Sequence, residues 1–93
     1  MRVFDFLFCY DIADEKRLKK VAKVMENSAI RIQYSVFFYP DATKLQIQQI
    51  TTKLIDIIDE EVDDIRIYQV DIKRSFFLNS GIDLKNPTII AKG

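Results

Sequence analysis

Tyr10 and Asp11 close a run of aromatic, aliphatic and β-favouring residues, Val3 to Ile12, and a charged stretch with helical spacing follows directly. A carboxylate at the carboxyl end of a strand, beside a helix start, suits metal or phosphate chemistry. It equally suits a helix N-cap, a role that aspartate favours. Downstream, Lys16, Lys19, Lys20 and Lys23 recur at helical spacing with Arg17 beside them. Such a stripe can meet phosphates, or it can be the solvated outer face of an amphipathic helix. A second charged cluster, D-E-E-V-D-D at 59–64, lacks the turn glycine and ligand alternation of a calcium loop and reads as a solvated acidic turn. Cys9 sits within an apolar strand with no activating partner in view, which argues against a nucleophile.

Composition removes most other chemistry. The chain has no histidine, which excludes Ser-His and Cys-His dyads, the commonest general base and most zinc sites. Its 93 residues support one domain with a single modest core, and 48% apolar with 30% charged residues is a globular balance. Formal net charge is zero, so any affinity for nucleic acid must come from how charge is distributed. Residues 1–55 carry nine Lys/Arg against six Asp/Glu, and residues 56–93 carry five against eight. The single cysteine suits a reducing cytosol. No signal peptide is visible, and no apolar run reaches the ~18 residues of a membrane span. The expectation is a cytoplasmic protein with no membrane partner.

The elements that must position these residues follow in order. Asp14 or Asp11 can cap a helix running to about Asn27, with Leu18, Val21, Ala22 and Met25 on its buried face. Ile30 to Tyr39 is a second β-like run, either one strand or two, that Pro40 closes. Its set Ile30, Ile32, Tyr34, Val36 and Phe38 is expected to face the helices. Its set Arg31, Gln33, Ser35, Phe37 and Tyr39 is expected on the functional or interfacial face. Thr43 and Gln46 form a capping box for a second helix, with Ile47, Ile50, Leu54, Ile57 and Ile58 along one stripe, ending near Asp59. Ile65 to Ile72 is a third β run, Ser75 to Leu78 a short apolar piece, and the tail from Asn79 reads as irregular, with Ile89-Ile90 either a last strand or a docking segment. If the middle run supplies two strands, the order is βαββαβ: an α+β, ferredoxin-like sandwich with both helices on one face of an antiparallel sheet. The other face, carrying residues of Asp11 parity, needs covering and suggests a homodimer. Residues 1–78 form the domain, and 79–93 an extension expected to dock on the dimer partner.

Tyr10-Asp11-Ile12, Lys16-Arg17 with Val21-Ala22-Lys23, the run Arg31-Ile32-Gln33-Tyr34-Ser35-Val36-Phe37, and Val62 to Tyr68 together resemble the CRISPR-associated protein 2 family over residues 1–78. The resemblance implies a ferredoxin-like homodimer in which Asp11 lies near the two-fold axis and, with its symmetry mate, holds a divalent metal, usually Mg2+. It implies a metal-dependent endonuclease acting on RNA or DNA that takes part in spacer acquisition. It also implies a bridging role between copies of an integrase subunit while duplex DNA is held. Tyr10, Asp11, Arg17, Arg31 and Phe37 are the positions it associates with catalysis, and the strand after residue 72 would join the partner's sheet. Two positions depart from the family pattern: Ala29 and Ile30 stand where a glycine often precedes Arg31, and Phe38 stands where glutamate is common.

Elementary chemistry agrees with this assignment. Magnesium takes hard oxygen ligands and keeps several waters, so two carboxylates across a dimer axis suffice. Without histidine, water would be the nucleophile, with Arg17 or Arg31 stabilising phosphoryl charge. Nucleic-acid contacts would fall to Lys16, Arg17, Lys19, Lys20, Lys23 and Arg31. Three functions remain open: a Mg2+-dependent endonuclease, a non-catalytic clamp for duplex DNA, and a stand-alone ribonuclease toxin of related fold. Arg31 and Gln33 can also be read as interface polar groups, and Phe37 as core rather than a base-stacking platform.

Overall fold

The structure, a computed structural model, describes residues 2–71, 74, 76–78 and 88–90. In chain order the elements are β1 (Phe4–Asp11), α1 (Glu15–Glu26), β2 (Ile30–Gln33), β3 (Val36–Ala42), α2 (Lys44–Ile57), β4 (Asp64–Val70), β5 (Phe76–Leu78) and β6 (Thr88–Ile90). The first four strands form one antiparallel sheet in the order β2-β3-β1-β4, which is the ferredoxin-like arrangement. The run 30–39 is thus two strands. Tyr34-Ser35 is the turn between them, and the Ser35 carbonyl accepts from the Tyr10 N–H at 3.1 Å, which ties the turn to β1. Ile89-Ile90 lies in β6, paired in parallel with β5. Ile72 and residues 79–87 of the tail lie outside the described residues.

Asp14, not Asp11, caps α1: its carboxylate accepts from the Arg17 N–H at 3.0 Å. Thr43 and Gln46 make both halves of the expected capping box on α2. Val21 and Met25 from α1, with Ile50 and Leu54 from α2, pack on Phe8, Tyr10 and Phe37 of the sheet, partly covered by Phe6, Tyr39, Ile65 and Ile67. A smaller cluster on the opposite sheet face centres on Phe38, with Leu7, Ile32 and Val70 against it.

Two expectations need correction. The alternation of the 30–39 run holds within its strands, but the assignment is reversed: Phe37 and Tyr39 meet the helices, while Ile32 and Phe38 face away, and Tyr34, in the turn, leaves its set and sits beside Arg31. Where β3 is covered, each set supplies large apolar residues, and the polar Arg31, Gln33 and Ser35 fall on the edge strand β2 and in the turn. Alternation alone therefore cannot say which set the helices cover. Pro40 also does not end its strand, because β3 continues to Ala42. It sits where the β1–β3 register shifts between Phe4↔Ala42 and Phe6↔Tyr39, and β2 pairs with β3 only as far as Phe38. A bulge beyond the reach of one neighbour is where a sheet tolerates proline. Next to it Asp41 takes a left-handed backbone (φ 51°), and its N–H donates to the Asp5 carboxylate at 3.0 Å.

The acidic turn hides the structural keystone. Asp63, whose side chain is fully buried, accepts four hydrogen bonds. Oδ1 receives the Ala13 N–H at 2.9 Å and Arg17 Nη2 at 3.2 Å, and Oδ2 receives Arg17 Nε at 2.7 Å and the Asp59 N–H at 2.9 Å. The reading of 59–64 as a solvated turn is therefore wrong at one residue. The Arg17 fork, with help from the two backbone donors and against the cost of burial, holds the Asp63 carboxyl well below the usual carboxylate range.

A carboxylate depressed in the folded state contributes stability that is complete above the unfolded value of about 4 and is lost as pH falls further. Acid titration of unfolding should therefore show a loss below about pH 4 that Asp63→Asn largely removes. The same variant sets an amide donor against donors and should lower the thermal midpoint at neutral pH by roughly 10 °C or more. Equal acid sensitivity in parent and variant would contradict the clamp. Phe37 is fully buried, so Phe37→Ala should cost about 3–5 kcal/mol in chemical denaturation and Phe37→Leu much less.

Candidate metal and nucleic-acid site

β1 delivers its two candidate site residues, Tyr10 and Asp11, to opposite faces. Asp11, the last residue of the strand, is exposed, and its face is the one away from the helices. No hydrogen bond or ion pair engages its carboxylate among the described residues. Its cross-strand partner on β4 is Asp64, so two carboxylates face one another at the end of the ladder. Asp64 is held by Arg66, Nε to Oδ2 at 3.0 Å. Like charges placed opposite one another destabilise a sheet unless a cation intervenes. Among the described residues no group of three His, Cys, Asp or Glu side chains converges on one point. The donor set is one free carboxylate and a neighbour, all hard oxygen.

Tyr10, one residue earlier, points into the helix-covered core, with 7% of its surface exposed. Its ring stacks on Phe37 at 6.1 Å between centroids. The Arg31 guanidinium lies over Phe37 at 5.1 Å and over Tyr34 at 5.7 Å, and pairs with Glu26 at 3.1 Å. Burial pushes the pKa of the Tyr10 hydroxyl up; the Arg31 charge opposes this, and Glu26 and Tyr34 add to it. That hydroxyl is buried without a hydrogen-bond partner among the described residues.

The five expected catalytic residues are thus not one cluster. Tyr10, Arg31 and Phe37 come together on the helix side, Asp11 is on the other face, and Arg17 spends its fork on Asp63. Lys16, Lys19, Lys20 and Lys23 are all exposed along α1, and only Lys19 has a partner among the described residues, a loose pair with Glu15 at 3.6 Å. Cys9 is half-buried and burial raises its thiol pKa, the opposite of activation. Sequence reasoning missed Asp63, Asp64 and Tyr34. Nothing in the acidic run distinguishes Asp63 from its neighbours, whereas Asp64 was open to discovery by counting the β1–β4 register outward from the hydrophobic pairs.

The model of the family described as CRISPR associated protein Cas2 matches residues 4–76. The CRISPR-associated endoribonuclease Cas2 2 of Thermodesulfovibrio yellowstonii is 40% identical over 63 residues, 68% of each chain. A crystal structure of Cas2 from Streptococcus pyogenes superposes with a TM-score of 0.65 at 36% identity, over 72% of this chain and 86% of that one. A chain of a partial Cas6-RT-Cas1–Cas2 complex superposes with a TM-score of 0.68 at 28% identity, over 77% of this chain and 81% of that one. With the family pattern running through the whole four-stranded sheet and both helices, the chain belongs to the CRISPR-associated Cas2 family.

Proposed function

We propose that the chain acts in CRISPR adaptation as a cytoplasmic homodimer, a magnesium-dependent endonuclease on RNA or DNA that also works beside an integrase subunit. The observation that carries this reading is Asp11: an exposed carboxylate without a partner among the described residues, at the end of a central strand and facing a second carboxylate. The donors fit the ion. Magnesium accepts one or two carboxylates and keeps its waters, and an all-oxygen site without histidine or thiolate disfavours zinc. In a homodimer two copies of Asp11 would hold it. When bound, the ion supplies charge neutralisation at a phosphodiester and acidification of water.

The chain's own residues divide the remaining work. Lys16, Lys19, Lys20 and Lys23 offer phosphate contacts from α1, and Arg31 adds another at its far end. Arg17 serves as a positioning residue, because its guanidinium fixes the loop after Asp11 through Asp63. Tyr10 and Phe37 support Arg31 from below. The name of the Thermodesulfovibrio relative supports ribonuclease activity. The likeness to a Cas1–Cas2 assembly supports a second reading, in which the dimer clamps duplex DNA for the integrase and cleavage is dispensable.

Asp11→Asn separates the two. Asp11 does not cap the helix, so stability should change by no more than about 0.5 kcal/mol. The nuclease reading requires magnesium-dependent cleavage to fall by ~10²-fold or more while the dimer persists. The clamp reading requires integration with the partner enzyme to survive the substitution. Undiminished cleavage would remove Asp11 from the mechanism. Replacing Lys19 and Lys20 with alanine tests the stripe: the log–log salt dependence of duplex DNA binding should become shallower by about 0.9 for each lysine that meets a phosphate. An unchanged slope would make the stripe a solvated face.

A further inference from the structure

Between α1 and the β2–β3 hairpin lies an open groove of about 380 Å3, whose lining includes Tyr10, Lys19, Ala22, Arg31 and Tyr34. That volume is within the roughly 300–1,000 Å3 of small-ligand pockets. Three features of the groove are costly or unexplained without a ligand. The Tyr10 hydroxyl is buried with no partner among the described residues, which a folded chain ordinarily avoids. Tyr34, a large aromatic in a two-residue turn, is 71% exposed. The two cations, Lys19 and Arg31, hold only exposed carboxylates, Glu15 and Glu26, pairs of a kind that contribute little and exchange readily.

We propose that this groove binds one unstacked nucleotide of a single strand. The base stacks on the free face of Tyr34, the phosphate exchanges with Glu26 and Glu15 at Arg31 and Lys19, and the Tyr10 hydroxyl gains the partner it lacks. Base stacking on an exposed aromatic and a guanidinium is how single strands are held without sequence preference. A bare anion fits less well, because the two carboxylates offset the two cations and leave the aromatic surface unused. A duplex fits less well because its bases are inside the stack. The groove is on the helix side of the sheet and Asp11 on the other, so it holds the strand and does not cut it. The inference rests on the reading of the chain as a nucleic-acid-binding protein.

The test is titration of the full chain with adenosine 5′-monophosphate, adenosine and inorganic phosphate, following tyrosine ring resonances by NMR and heat by calorimetry. The monophosphate should shift the Tyr10 and Tyr34 rings saturably and bind more tightly than adenosine or phosphate alone. Tyr34→Ala should weaken the nucleotide by roughly tenfold or more without changing the affinity for phosphate. Arg31→Gln should weaken both. Tyr10→Phe deletes an unsatisfied buried hydroxyl, so it should hold or raise the thermal midpoint while weakening the nucleotide, a combination that a purely structural tyrosine would not give. Absence of saturable shifts, or unchanged nucleotide affinity in both Tyr34→Ala and Tyr10→Phe, would overturn the proposal, as would phosphate alone binding as tightly as the nucleotide. Asp11→Asn keeps this result apart from the cleavage mechanism. Loss of cleavage with nucleotide binding intact supports both. Asp11-dependent cleavage with no nucleotide binding removes the groove and leaves the nuclease, and binding with Asp11-independent cleavage does the reverse.

Discussion

The fold's functional end hangs on one buried carboxylate. Asp63 gathers donors from the β1–α1 loop, from α1 itself and from the α2–β4 loop, then passes directly into the first residue of β4. A charge in that position is costly unless every lone pair is used, and here four donors use them. The consequence is geometric. Fixing Ala13 sets the direction in which the chain leaves β1, and fixing Asp63 sets where β4 starts, so Asp11 and Asp64 are brought opposite one another. A buried ion pair thereby sets the spacing of the two exposed carboxylates, Asp11 and Asp64. It also commits two of the five N–H donors of Arg17, at Nε and Nη2, to a structural partner.

A strand sends successive side chains to opposite faces, and β1 exploits this at its last two residues. Tyr10 enters the helix-side core and Asp11 leaves on the other side. Residues adjacent in sequence therefore serve separate surfaces, one acidic and one lined by aromatics with Lys19 and Arg31. Phe38 reinforces the division. It fills the centre of the smaller apolar cluster with Leu7, Ile32 and Val70. The sheet face that carries Asp11 is thus apolar at its middle, and the Asp11–Asp64 pair sits at the strand's end.

Element order, the two-strand option for 30–39, the capping box at Thr43 and the buried stripes of both helices were all legible in the sequence, because local patterns specify them. What was not legible depended on pairing at a distance. Alternation sorted Ile32 and Phe38 from Phe37 and Tyr39 correctly, yet the choice of face is made by the helices, and each of these pairs is large and apolar enough to be covered. Pro40 was misread because its tolerance comes from a bulge and the short reach of β2, neither visible locally. Asp63 was hidden among like neighbours, since burial of a charge is decided by an arginine 46 residues away. The candidate site followed the same rule: residue types were readable and their grouping was not.

Zero net charge does not weaken a case for nucleic acid when charges are sorted over distances longer than their screening length. At physiological ionic strength that length is about 8 Å. The twelve residues of α1 span roughly 18 Å. The acidic turn at 59–64 meets α1 at its first turns, where Arg17 neutralises Asp63, so the lysines toward the other end of the helix are progressively better screened from it. What a polyanion meets on the outer face of α1 is four exposed ammonium groups, one of them loosely paired. In the proposed homodimer the second protomer would repeat that stripe by symmetry, and a cation between two copies of Asp11 would relieve the repulsion of their carboxylates. A chain that is neutral as a whole thus carries a cationic face along α1 and, on the far side of the sheet, the carboxylates of Asp11 and Asp64.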